Sequence, residues 1–341
     1  MSVRVGINGF GRTGRSAFRA SYERGSDIEW AGVNDVMDIE MAAHLLRYDS
    51  TYGPFPAPIL VADGALIVDG ERVPFFGAED PAGIPWADAG AEVVIDSTGR
   101  FRERMAAARH LDAGARKVVI SAPAKGPDAT VVLGVNFDDV YDPERHDVIS
   151  NASCTTNCLA PVAKVLHEAV GIRHGIMTTV HAYTGDQRLQ DLPHKDKRRA
   201  RAAAVNIVPT STGAAKALGL VVPELEGRLH GYALRVPVVT GSAVDLTIET
   251  ERPTSVEEVN SIFHEAARGG PLHGVLSYTE DPIVSADIVK SPYSSVFDAG
   301  LTSVVDGTCV KVVAWYDNEW GYSNRLVDVS QRVLERVPAS A

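Results

Sequence analysis

Three glycines within six positions, directly after an alternating apolar stretch, constrain this chain more than any other feature of it. Val3, Val5 and Ile7 alternate as a strand requires and lead into Gly9-Phe10-Gly11-Arg12-Thr13-Gly14, after which Arg15 to Tyr22 suits a helix. Ile28 to Asn34 reads as a second strand, so the opening is a βαβ unit. Glycine is demanded where backbone amides must approach a pyrophosphate closely, and a helix N-terminus adds favourable partial positive charge. A glycine-rich turn with no ligand would satisfy the hexapeptide equally well. Asp35 decides between the two, because it lies 21 residues beyond Gly14 at the end of the second strand. There a carboxylate accepts hydrogen bonds from the adenosine ribose hydroxyls and repels a 2′-phosphate, which favours NAD over NADP.

The parallel pattern continues. Met41 to Tyr48 suits a short helix, and Ile59 to Phe76 is broken by Asp63-Gly64 and Asp69-Gly70, the turn chemistry of antiparallel hairpins. A strand at Val93 to Asp96, a helix from Arg102 to Ala113 and a strand at Lys117 to Ser121 complete one doubly wound domain with a hairpin excursion. Beyond Ser153 the texture changes: a helix from Cys154 to Val170, a strand from Ile172 to Val180, and a charged segment without periodicity from Tyr183 to Arg201 that reads as a long ordered loop. Leu229 to Val236, Ala243 to Thr250 and Thr308 to Trp315 alternate as strands, with a helix from Val256 to Arg268 between them, and Gly321 to Val337 has helical spacing. The expected fold class is α/β: a Rossmann-type doubly wound parallel sheet plus a second α+β catalytic domain with a mostly antiparallel sheet. The expected division is residues 1–153 for the nucleotide domain, 154–317 for the catalytic domain and 318–341 for a C-terminal helix returning to the first.

Composition narrows the partners. Lys and Arg number 33 against 44 Asp and Glu, a formal charge of −11 that repels phosphate backbones and anionic membranes except at a local patch. No run of about 18 apolar residues occurs and the first residues lack a signal-peptide pattern, so a membrane span and secretion are not expected. Cys154, Cys158 and Cys309 are too few and too oddly numbered for a disulfide framework, which fits a reducing, cytoplasmic setting. They are also unsuited to a metal site.

Position singles out one of these cysteines. Ser150-Asn151-Ala152-Ser153 places cap-forming residues before Cys154, whose thiol in the first helical turn would face unpaired N–H groups and the positive end of the dipole. Both favour thiolate, and so a nucleophile with a lowered pKa is expected; a small buried hydrophobe is the other reading. Cys158 lies one turn deeper and takes the second reading. His181, at the end of the strand that ends near Val180, could pair with the thiolate and exchange protons with a substrate oxygen, or be structural. His194 is flanked by charges, is expected to be exposed and receives no catalytic role.

The order of motifs resembles a known family. Asn8-Gly-Phe-Gly-Arg, Ser150 to Cys158, His181-Ala-Tyr-Thr-Gly-Asp-Gln, Pro209-Thr-Ser-Thr-Gly-Ala-Ala-Lys216, Arg235-Val-Pro and Trp315-Tyr-Asp-Asn-Glu-Trp-Gly-Tyr-Ser-Asn324 are similar to those of phosphorylating glyceraldehyde-3-phosphate dehydrogenases, in that family's order and across nearly the whole chain. The resemblance implies NAD-dependent conversion of glyceraldehyde 3-phosphate and inorganic phosphate to an acyl phosphate, with Cys154 as nucleophile and His181 as base. It implies Thr184 and Arg235 at the substrate phosphate, and Ser153, Thr155, Thr212, Gly213 and Arg199 at the inorganic phosphate, although the run Lys195 to Arg201 alone would read as a solvated face. For NAD it implies Gly9, Phe10, Gly11, Arg12, Thr13, Gly14, Asp35, Ser121, Asn318 and Tyr322. Leu192-Pro193 resembles the loop of NAD-specific members, and a homotetramer is implied. Thr13, Gln190, Lys197 and Val239 depart from the family's usual residues, leaving a specialised paralogue open. Erythrose-4-phosphate dehydrogenase is the neighbouring enzyme, and Tyr183-Thr184-Gly185-Asp186 and Thr210 to Gly213 favour the triose enzyme over it. A non-catalytic, RNA-contacting role on the same scaffold is disfavoured by charge and by the retained Cys154 and His181.

Overall fold

A computed structural model describes residues 2–335, which fall into two compact units. The first takes residues 2–131, 138–152 and 323–335, the second residues 132–137 and 153–322.

In the first unit, strands Ala129–Thr130, Val148–Ser150, Lys117–Ile120, Val93–Asp96, Val3–Asn8, Ile28–Asn34 and Glu71–Phe76 lie side by side in parallel, and Ala65–Val68 and Ile59–Ala62 extend the edge antiparallel. The expected hairpin excursion is therefore this edge. Asp63 and Gly64 (φ 47° and 69°) and Asp69 and Gly70 (φ 53° and 87°) supply the paired left-handed residues that such two-residue turns require. The chain leaves Val3–Asn8 to form its neighbour Ile28–Asn34 on one side and returns later as Val93–Asp96 on the other. The C-terminal end of Val3–Asn8 is thus the switch point of the sheet, where open α/β sheets bind ligands. One face packs Ile7, Phe10, Phe18, Val33, Leu46 and Leu66, and another holds Trp86 over Ala31 and Val94.

Boundaries moved where tertiary contacts override local pattern. The first helix starts at Arg12, a turn earlier than Arg15, because the glycine turn feeds directly into it. The helix expected from Arg102 to Ala113 is two single turns, Arg104–Ala107 and Arg109–Asp112; Glu103 forms a bridge with Lys125, and the Lys125 carbonyl accepts the Arg104 N–H at 3.1 Å, which holds the entry extended. The last helix is Trp320–Arg332, and the expected Val337 end lies outside the described residues.

The second unit is built on a sheet ordered Val208–Ser211, Leu229–Val236, Ile172–Ala182, Ser242–Thr250, Cys309–Tyr316, Ser295–Val305 and Leu276–Thr279. Four of its pairings are antiparallel and two parallel, so it is the mostly antiparallel sheet expected. Helix Cys154–Val170 packs Leu159, Val162 and Leu166 into the core, and helix Val256–Arg268 brings Phe263 against Phe297 at 3.8 Å between ring centroids. Pro209, which cannot donate to a ladder, sits on the edge strand as that limitation requires. Strand Ser295–Val305 was not expected. Its register shifts between Asp298 and Ser303, and that irregularity destroys the period of two by which a strand is read. The Tyr183 to Arg201 segment contains no helix or strand, in keeping with the loop reading.

Gly14 measures how tightly the glycine turn is packed: a Cβ there would lie 2.2 Å from the Gly9 carbonyl oxygen and 3.0 Å from Ser97 Oγ. Gly14→Ala is expected to cost about 2–3 kcal/mol through forced backbone movement, read as a lower denaturation midpoint. An unchanged midpoint would contradict this packing.

Candidate active site

In the first unit, residues from three strand ends enclose a cleft of about 190 Å³ lined by Asn8, Gly9, Gly11, Asn34, Asp35, Val36, Thr98 and Arg100 among others. Gly9 has φ 94°, and a Cβ on it would meet Thr98 N at 2.6 Å, so the fold itself needs glycine there. Gly11 is different. A Cβ at Gly11 would meet nothing of the protein within 4 Å, so its missing side chain leaves space for a ligand rather than for packing. Gly11 also caps helix Arg12–Glu23 without a side-chain bond, and that helix carries no acidic residue in its first turn, which leaves its N–H groups suited to an anion. Asp35 accepts the Phe10 N–H at 2.6 Å and the Met37 N–H at 2.9 Å, one on each oxygen. Each oxygen keeps a second lone pair for a ribose hydroxyl. These residues fit a dinucleotide.

Not every expected cofactor residue joins that cleft. Arg12 pairs instead with Asp49 and stacks over Tyr52 at 5.5 Å, and Ser121 donates its N–H to the Asp96 carbonyl at 2.9 Å. Asn318 and Tyr322 belong to the second unit and are buried. The Asn318 side-chain oxygen accepts from Ser242 Oγ at 2.8 Å and Thr240 Oγ1 at 3.3 Å, making its NH2 the end left to donate.

Ala152, the last residue of its segment of the first unit, is in the left-handed region (φ 52°) and turns the chain just before helix Cys154–Val170 of the second unit. Ser153 caps that helix, its Oγ accepting the Thr156 N–H at 3.0 Å, and this fixes Cys154 as the first helical residue. His181 lies inside strand Ile172–Ala182, which runs two residues past its expected end, and its parallel register partner is Arg235. Sheet pairing therefore sets the imidazole beside the guanidinium. His181 Nε2 stands 3.5 Å from Cys154 Sγ, and Nδ1 donates to the Ala182 carbonyl at 2.7 Å. Arg235 Nη1 also lies 3.1 Å from Nδ1, but the shorter contact to a carbonyl, which can only accept, puts the ring proton on Nδ1 and leaves a lone pair on Nε2 facing the sulfur. Arg235 Nη1 donates to the same carbonyl at 3.2 Å and to Thr184 Oγ1 at 3.2 Å.

Electrostatics modify the expectation for the thiol. Burial pushes the Cys154 thiol up, and it outweighs Arg235, the Thr155 hydroxyl and the N–H groups of Thr155 and Cys154 itself, which pull it down. Burial followed by the Arg235 charge pushes His181 down to about 3. The thiolate–imidazolium pair expected from the helix start is thus opposed by desolvation of both groups, whereas Arg235 favours the thiolate and disfavours the imidazolium.

Tyr316 was not singled out from the sequence. Its hydroxyl bonds Thr155 Oγ1 and Thr179 Oγ1, both at 2.9 Å, and its ring meets His181 edge-on at 5.9 Å. The signal was present in alternation, since Thr179 and His181 share one face of their strand. Within the charged run, Arg199 is set apart from exposed Lys195, Lys197, Arg198 and Arg201. It pairs with Asp186, donates to Thr210 Oγ1 at 2.9 Å and contributes to the field at His181. Thr212 accepts the Ala214 N–H at 3.2 Å, and Gly213 caps helix Ala214–Val221. His194 is not exposed as expected: its imidazole is 7% accessible and lies 3.6 Å from Asp186. Cys158 is fully buried, near Ser295 Oγ at 3.6 Å, and burial pushes its thiol up to about 12. Nothing in the structure ties Thr13, Gln190, Lys197 or Val239 to the cysteine.

A Rossmann-type unit with a nucleotide cleft, carried in one chain with an α+β unit that presents a cysteine to a histidine, defines an NAD-dependent oxidoreductase. The comparisons with known proteins narrow the class. Residues 3–104 match the family model for the NAD binding domain of glyceraldehyde 3-phosphate dehydrogenase, and residues 153–318 match that for its C-terminal domain. Glyceraldehyde-3-phosphate dehydrogenase 2 of Streptomyces arenae is 61% identical over 330 residues, covering 97% of this chain and 98% of that one. The Mycobacterium avium and Geobacillus stearothermophilus glyceraldehyde-3-phosphate dehydrogenases are 58% and 55% identical, each over at least 96% of this chain and 98% of their own length. The chain belongs to the glyceraldehyde-3-phosphate dehydrogenase family.

Two substitutions test the site. Gly11→Ala is expected to change stability by no more than about 1 kcal/mol while weakening NAD on the order of tenfold; unchanged NAD affinity by titration would place the cofactor elsewhere. Because Arg235 pulls the Cys154 thiol down, Arg235→Gln is expected to move the pH midpoint of Cys154 alkylation upward, and a downward or absent shift in the iodoacetamide rate profile contradicts the assignment.

Proposed function

We propose that this protein oxidises glyceraldehyde 3-phosphate with NAD in the presence of inorganic phosphate, through a thioester on Cys154. The observation that carries the mechanism is the 3.5 Å approach of Sγ to an Nε2 whose lone pair is fixed toward it. As Sγ attacks the aldehyde carbon, the S–C bond forms and the thiol proton passes to Nε2. The carbonyl oxygen gains the electron pair, and the Cys154 N–H at the helix start and the protonated Nε2 stabilise it. Nε2 gives this proton to the oxygen to complete the thiohemiacetal, then takes it back as the oxygen re-forms a carbonyl and the carbon loses hydride. NAD supplies the hydride acceptor. A phosphate oxygen next attacks the thioester carbon, the C–S bond breaks, and an acyl phosphate leaves with Cys154 restored.

Thr184 and Arg235 would hold the substrate's own phosphate, since Arg235 is already aimed at Thr184 Oγ1 and its planar fork can bond two oxygens. Arg199, Ser153, Thr155, Thr212 and Gly213 would hold the attacking phosphate. The carboxylates of Asp186 and Asp196 now engage Arg199, so an arriving anion must compete with them. We further read the working form as a homotetramer in the cytoplasm. Ile176 and Tyr232, 63% and 46% exposed on one face of the second sheet, are apolar surface suited to self-association. No helix among the described residues is long and apolar enough to cross a membrane.

Cys154→Ser is expected to remain folded and to bind NAD while losing turnover by about four orders of magnitude, because the nucleophile is gone. Steady-state assays with and without phosphate read this directly. Retained phosphate-dependent turnover would remove Cys154 from the reaction.

A further inference from the structure

Three adjacent parallel strands of the first unit each end on a polar residue, and the three pair in register: Asn8 lies opposite Asn34 on one side and opposite Asp96 on the other. All three are almost fully buried, at 3%, 2% and 2% exposure. Asn34 Nδ2 donates to Asn8 Oδ1 at 2.8 Å, and Asn8 Nδ2 donates to Asp96 Oδ2 at 3.0 Å. Behind them sits His110, with no exposed surface. The Trp86 indole N–H donates to His110 Nδ1 at 3.0 Å, so the ring proton is on Nε2, which donates to Asp96 Oδ2 at 3.1 Å. Gly6 makes room for this indole, since a Cβ there would strike the Trp86 ring at 2.5 Å.

The far side of the chain of bonds is the nucleotide cleft. Asp96 Oδ1 accepts the Thr98 N–H at 3.1 Å and the Thr98 hydroxyl at 2.8 Å, and Thr98 Oγ1 in turn accepts the Arg100 N–H at 3.0 Å. Asn34 similarly exchanges two bonds of 2.9 Å with the backbone of Ala78. Asn8, Asn34, Ala78, Thr98 and Arg100 all line the cleft, whereas His110 and Trp86 do not. Asp96 thus accepts four hydrogen bonds, the full capacity of a carboxylate, three from the cleft-lining residues Asn8 and Thr98 and one from His110 behind them. Removing that rear donor leaves a buried carboxylate under-satisfied, and its remaining freedom is to draw on the wall.

Resting on the reading that this cleft takes the dinucleotide, we infer that His110 is a positioning residue for NAD: held by Trp86 and acting through Asp96, it fixes the Ser97 to Arg100 turn that walls the cleft. It touches no substrate or cofactor itself. The two ring nitrogens have separable jobs, and two amides can replace them one at a time. His110→Gln carries an amide donor to the place of Nε2, and His110→Asn carries an acceptor only to the place of Nδ1.

Titration of the full-length protein with NAD, alongside its melting temperature and its KM for the aldehyde, tests this. His110→Asn is expected to raise the NAD dissociation constant about tenfold and His110→Gln to stay within about twofold of the native protein, with the aldehyde KM unmoved in both. A merely structural histidine predicts instead that NAD affinity follows the melting temperature whichever nitrogen is replaced; that result, or native affinity in a folded His110→Asn, overturns the inference. If either variant fails to fold, Trp86→Phe removes only the indole N–H at the remote end. It is expected to weaken NAD about threefold, and an unchanged constant overturns the inference equally. Gly11→Ala separates the two levels. If it weakens NAD and the His110 and Trp86 variants do not, the cleft stands and the positioning role falls. If it has no effect, the reading of the cleft fails, and the inference with it.

Discussion

Backbone N–H groups at the start of a helix, where the dipole's positive end lies, are the feature on which the chemistry of this chain depends. They occur at both of its sites. At Gly11 they lie beside a position where an added Cβ would meet no protein atom within 4 Å, and at Ser153 the cap leaves Cys154 in the first turn, where its own N–H can serve a developing oxyanion. In each case a parallel strand ends immediately before the turn or beside it, and residues brought in by neighbouring strands complete the group: Asp35 beside the glycines, His181 and Arg235 beside the cysteine. The sheets contribute position, and the helix starts contribute charge.

That arrangement addresses the problem of a protein of formal charge −11 whose proposed ligands are all anionic. The two arginines proposed to meet those anions are each held in place by partners of their own. Arg235 is half-buried and aimed by the Ala182 carbonyl and Thr184, and Arg199 is oriented by Asp186 and Thr210. A guanidinium already oriented loses less side-chain freedom when an anion arrives. The cost is competition, because each anion must take the arginine from a partner inside the protein.

Local features were legible in the residues and tertiary ones were not. The Asp-Gly hairpins and the cap at Ser153 are short-range devices, and the elements they start or join lie where their residues indicate, whereas the helix after the glycine turn begins three residues before the expected Arg15. Strand Ser295–Val305 escaped notice because a register shift breaks its alternation, and the helix expected after Arg102 gave way to a bridge with Lys125 from a distant segment. The same division holds at the sites. The positions of Cys154 and His181 could be anticipated from a cap and a strand end, but the outcome of burial against dipole at the thiol depends on what surrounds it. Tyr316 and the Trp86, His110 and Asp96 chain arise from strand register, which no single stretch of sequence displays.

The central claim is that Cys154 alone carries the acyl group. Mixing the protein with glyceraldehyde 3-phosphate and NAD without inorganic phosphate, quenching in acid and mapping the peptides by mass spectrometry tests it most directly. The account predicts a 3-phosphoglyceroyl adduct on the peptide bearing Cys154, at that residue and not at Cys158 or Cys309, which disappears when phosphate is added before the quench. An adduct on another residue, or turnover with no adduct at any cysteine, would contradict it.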